Sequence, residues 1–183
     1  EQLALTRWLA GDTAGAEAAA TDLEPHAWVS WLRATMCFMA GDTAGASAHA
    51  RLAVELADGS NVTSAPGVSL LAALQLVSEG PTNAAPVAEA AYRTALEVGG
   101  RDLAAAAPVY GWCLLRLGAT DEVAAVAEQI ERTIGRHDRA ARLHAALLRR
   151  AASAGSADAT QRQRDERRVT DLRSTGMAPV ERF

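Results

Sequence analysis

Two histidines seven residues apart, His137 and His144, with Asp138 beside the first, come nearest to a metal-binding or acid–base cluster in this chain. Seven residues are about two helical turns, so the imidazoles share a face. Zinc sites, however, take three or four ligands at fixed spacing, and two imidazoles make too small a set. A surface or helix-terminal role is expected for both. His26, beside Pro25 at a helix start, and His49 have no nucleophile close by in sequence to activate. Asp121 and Glu122 are paired acids where a helix begins, and acids in a first turn are ordinary partners of the helix dipole. Cys37 and Cys113 lack a CxxC or Cys/His cluster and read as small apolar side chains, buried and in a reducing compartment. GxxxxGK[ST], GxGxxG after a strand, HExxH and GxSxG are all absent. No catalytic residue, metal or cofactor is therefore assigned, and no enzymatic activity is expected.

The elements that must position any site are legible from composition and from one repeated heptapeptide. The chain has 183 residues, 49% apolar at net charge −4, with 43 alanines and 4% aromatics. A core of that kind forms where helices with small contact residues approach closely, which predicts an all-α fold. No stretch alternates apolar and polar residues between turn signals as a strand would. The sequence AGDTAGA occurs at 10–16 and again at 40–46. In each copy Gly11 or Gly41 follows a helical run and can take the left-handed conformation that closes a helix. Asp12 or Thr13, and Asp42 or Thr43, then cap the next one. The small residues after the cap let two helices meet at the corner, so AGDTAGA is read as the tip of a helical hairpin. Looser corners follow at Gly80 and Gly118, after helices expected to start near Val68 and Asp102. Residues 58–67 form the one long loop, with the Asn61-Val62-Thr63 sequon inside it. A helix over about 138–153 and a polar segment over about 158–174 complete the chain.

Corner glycines at 11, 41, 80 and 118 are spaced about as two-helix repeats require. Around them, Ala34 and Cys37 precede Gly41, and Ala46, Ala50 and Ala53 follow it. Ala88, Tyr92 and Ala95 repeat the second-helix pattern. Gly111 and Leu114 precede Gly118, with Val123, Ala127 and Ile130 after it. On these residues the chain resembles the tetratricopeptide repeat family over roughly residues 1–135. The resemblance implies a right-handed α-solenoid of about four antiparallel helical hairpins with a C-terminal capping helix. It also implies that Trp8, Trp28, Trp31 and Trp112, with Phe38 and Met39, fall on first helices at positions facing a concave groove. Rigid aromatics and Met there would give a docking partner contact area at small entropic cost. The competing reading puts the same tryptophans in the core, since a one-residue shift of register turns a side chain through about 100°. Arg116, with Arg33 and Arg93, is the candidate for orienting acidic groups of a partner. The resemblance extends to arrays attached to large bacterial signalling or transcriptional regulators and to ATPase-associated secretion components. Because the first repeat is cut short and the chain opens without Met, a piece of something longer is expected.

Charge divides the chain. Residues 1–131 carry six arginines against sixteen acids, whereas 132–183 carry twelve against six, and lysine is absent throughout. Arg139, Arg142, Arg149 and Arg150, continued by Arg162, Arg164, Arg167, Arg168 and Arg173, give a run that could track phosphates. Asp165, Glu166 and Asp171 interrupt it, and no aromatics are interleaved. A solvated cap, or pairing with the acidic body, is the stronger expectation. The expected organisation is a repeat array over 1–154 and a polar Arg-rich cap or tail over 155–183. The expected function is a non-catalytic, cytoplasmic protein-interaction, scaffolding or sensory module. Its partner would be a protein segment or a neighbouring domain, and not a membrane. The alternatives are a nucleic-acid-associated regulatory segment and a small-molecule-binding helical domain. Neither a signal peptide nor a run of 18 apolar residues is visible.

Overall fold

Asp12 and Asp42 act alike in the two copies of AGDTAGA. Each Oδ1 accepts the backbone N–H three residues on, from Gly15 at 2.8 Å and from Gly45 at 2.9 Å, satisfying a donor that a helix start leaves open. The expected cap is thus made by the aspartate at both places. A computed structural model describes residues 3–4, 7, 12–21, 23–24, 26–58, 64–133, 139–154 and 158–174. Its helices are α1 (Thr13–Thr21), α2 (Ala27–Ala40), α3 (Thr43–Ala57), α4 (Ala65–Ser78), α5 (Pro81–Val98), α6 (Gly100–Leu117), α7 (Thr120–Thr133), α8 (Arg139–Ser153) and α9 (Ala159–Ser174). The described residues include no strand. Nor does any helix among them have the length and apolarity to cross a membrane.

The corners follow from glycine. Gly41 and Gly118 take φ of 84° and 79°, and each closes its helix with the same two bonds. Gly41 N–H donates to Phe38 O and Asp42 N–H to Cys37 O; Gly118 and Ala119 do the same to Leu115 and Leu114. Gly80, at φ 91° and ψ 175°, instead leads straight into Pro81, the first residue of α5. Gly11 lies outside the described residues.

Three details differ from expectation. A Cβ at Gly15 would lie 2.0 Å from Asp12 Oδ2, and one at Gly45 2.2 Å from Asp42 Oδ2. Glycine there makes room first for the capping carboxylate; at Gly45 the next atom met is Cys37 Sγ of the preceding helix, at 3.1 Å. Helix α4 begins at Ala65 rather than near Val68, with Pro66 in its first turn, where a missing N–H costs nothing. Gly67 is not a loop residue: a Cβ on it would meet Val54 Cγ2 at 2.9 Å and Ala50 O at 3.1 Å, so α3 and α4 nearly touch there. Helix α6 starts at Gly100, joined to α5 through Gly99 alone, both with positive φ.

Each helix packs on its neighbours in sequence, and the alternate helices α2, α4, α6 and α8 also touch in turn. The contact positions are small. Ala34, Ala46, Ala50, Ala53, Ala84, Ala88, Ala91 and Ala95 are buried, each methyl contributing on the order of 1 kcal/mol. Leu70, Leu76, Val109 and Cys113 fill the space between α2 and α6. Leu103, Leu114, Val123, Ile130 and Leu148 form a second core from α6 to α8. At Gly111 a Cβ would fall 2.6 Å from Leu148 Cδ1, so α8 presses directly on the α6 backbone. The polar segment 158–174 is helical as α9; Val169 and Leu172 join Leu143, Ala146 and Leu147 of α8 in a third core.

Candidate functional site

Helix α2 opens at Ala27, and Trp28 and Trp31, three residues apart, stand on neighbouring positions of its first turn. Their rings meet edge to face, centroids 5.2 Å apart at 82°, the arrangement favoured by the ring quadrupoles. Trp31 packs against the small core of Ala4, Ala20 and Leu32. Arg101, from the first turn of α6, places its guanidinium carbon 6.0 Å from the Trp28 ring centroid. A cation in a first turn opposes the helix dipole; the indole face offsets that by about 0.5–1 kcal/mol. Both tryptophans are half-buried and Arg101 is exposed. The cluster is therefore anchored through Trp31 and only partly covered, with an exposed guanidinium beside it, a combination suited to an apolar side chain flanked by a carboxylate.

The other expected site residues lie elsewhere. Phe38 and Met39 are half-buried in the last turn of α2, Phe38 against the core between α2 and α6. Trp112 sits on the fourth turn of α6 and packs against all three larger cores. Its Nε1 is buried without a hydrogen-bond partner. Arg116 is exposed in the last turn of α6, and Trp8 lies outside the described residues. Arg33, one of the arginines considered for a partner's acids, is committed within the chain: its Nη2 donates to the Ala20, Thr21 and Leu23 carbonyls at the end of α1. Arg93 pairs with Glu89 one turn away.

The histidine pair also resolves differently. His137 lies outside the described residues, while His144 is buried in α8 and not at the surface, and desolvation lowers its pKa to about 4. Burial pushes the Cys113 thiol up to about 11. Cys37 is raised as well, first by burial and then by Asp42. Both are free thiols, Cys113 buried and Cys37 half-buried. Burial likewise raises Tyr92 and Tyr110, whose rings stack at 5.1 Å between α5 and α6. Among the described residues no His, Cys, Asp and Glu group could hold a metal ion.

Three arginines of the basic end, Arg149, Arg150 and Arg168, pair with carboxylates of the chain itself. Arg149 Nη2 donates to Glu131 Oε2 at 2.9 Å, Arg168 Nη2 lies 3.0 Å from Glu131 Oε1, and Arg150 pairs with Glu166 at 3.4 Å. Glu131 belongs to α7, so α8 and α9 share one carboxylate of the acidic body. Sequence reading missed Arg101 and Glu131 as partners because each contact joins residues that no local pattern connects. No family model, curated protein sequence or solved structure matches this chain.

Proposed function

We propose that this chain is a non-catalytic interaction module: a right-handed array of helical hairpins of the tetratricopeptide kind that receives a segment of a protein partner or of a neighbouring domain. Alternate helices stacking on one another, with Gly41 and Gly118 closing α2 and α6 identically, support a repeated hairpin plan. In that plan α2, α4, α6 and α8 line one face and the helices between them back it.

The observation that carries the binding reading is the half-buried Trp28–Trp31 pair with Arg101 over it. Aromatic and Arg side chains dominate interface energetics when a partner excludes the remaining water. Here they are pre-positioned, so little side-chain entropy remains to be lost on binding. The preferred occupant is a short amphipathic segment presenting an apolar anchor next to Asp or Glu. Iodide quenching of Trp fluorescence tests whether the pair is open: substantial quenching lost in Trp28→Phe/Trp31→Phe is expected. A parent chain whose quenching does not depend on these two residues would remove the basis of the site.

A further inference from the structure

We propose that α9 is a detachable strap, latched through Glu131, whose release uncovers the apolar face of α8 beside Trp112. Its seat is narrow. Val169 and Leu172 are the α9 members of the third core, which otherwise consists of Leu143, Ala146 and Leu147 of α8 with Trp112 packed against it. Among its packing partners α9 rests chiefly on α8 alone, whereas α4 and α6 are each packed on several helices. Polar contacts to the body add to those two side chains: Arg168 to Glu131, Glu166 to Arg150, and the buried Asp165, which accepts from Ser153 Oγ of α8 at 2.9 Å.

The Glu131 latch is asymmetric. Arg149 holds one oxygen with an aligned hydrogen bond, while the other oxygen has Arg168 at 3.0 Å but accepts no hydrogen bond. The α9 contact is thus coulombic and the more salt-sensitive of the two, whereas the α8 contact also keeps an aligned hydrogen bond. A terminal helix packed chiefly on one neighbour over a small apolar seat opens locally before the body does. Opening uncovers Leu143 and Leu147 and removes one of the three cores packed on Trp112, enlarging the apolar surface beside it.

Hydrogen exchange by mass spectrometry on the full chain tests this at 50 mM and 1 M NaCl, comparing the parent with Glu131→Gln and Arg168→Gln. The expected result is exchange of α9 amides at least tenfold faster in 1 M salt and in either variant, with α4–α6 protection unchanged. Arg168→Gln leaves the Arg149–Glu131 bond in place, so it reports the latch even where Glu131→Gln loosens the body. Protection of α9 that survives salt and both substitutions, or that falls only together with α4–α6, overturns the proposal. The readout does not depend on what the Trp28–Trp31 cluster binds.

Discussion

His144 shows at the residue scale how far burial can move a group from its ordinary chemistry. Its folded pKa of about 4 lies below the usual 6.5, so the unfolded chain takes up a proton that the native state refuses between those values. The contribution is present above about pH 6.5 and is lost as pH falls toward 4, at most roughly 3 kcal/mol. Urea unfolding at pH 7 and pH 4.5 should therefore show a smaller stability loss for His144→Leu than for the parent; equal losses would refute the assignment. The caps give a second residue-level test. Gly45→Ala should destabilise by about 1 kcal/mol, because its methyl strikes the Asp42 carboxylate. In an Asp42→Ala background the same change should be neutral or stabilising, since alanine outranks glycine in helices by about 1 kcal/mol. A penalty of equal size in both backgrounds would locate the clash elsewhere.

Helices meet here through missing side chains, and the element scale turns on where those gaps fall. Gly111→Ala drives a methyl into Leu148 and should cost about 1–3 kcal/mol by forcing α8 off α6. Pairing it with Leu148→Ala should recover part of that cost, measured by a double-mutant cycle in urea. Strict additivity would mean that the two residues are not in contact. These contacts also explain what was legible beforehand. Corners at Gly41, Gly80 and Gly118 and the alanine positions depend on residues within a few turns, so pattern reading found them. The start of α4 is not legible in the same way, because Pro66 and Gly67 resemble loop signals, although proline is at home in a first turn and Gly67 marks a close crossing. The burial of His144 and the inward commitment of Arg33 and Arg149 depend on neighbours 10 or more residues away, where no local rule applies.

For the molecule as a whole, the C-terminal helices commit charge to contacts within the chain, whereas the Trp28–Trp31 pair with Arg101 is only partly covered. The basic segment that suggests phosphate binding pairs with Glu131 of the body and with its own Glu166. The Trp28–Trp31–Arg101 cluster was half legible: the tryptophans stood out as rigid aromatics, but the arginine arrives from a helix 73 residues downstream. Its central role is tested most directly by selecting binders from a displayed library of amphipathic peptides and measuring their Kd against the parent chain and Trp28→Ala/Trp31→Ala, with circular dichroism on both. The account predicts selected peptides with an apolar residue beside an acid, and at least tenfold weaker binding to a variant that keeps its helical spectrum. Unchanged affinity in a folded variant, or loss of helix content in the variant, would contradict it, the first by placing the site elsewhere and the second by making the two indoles core.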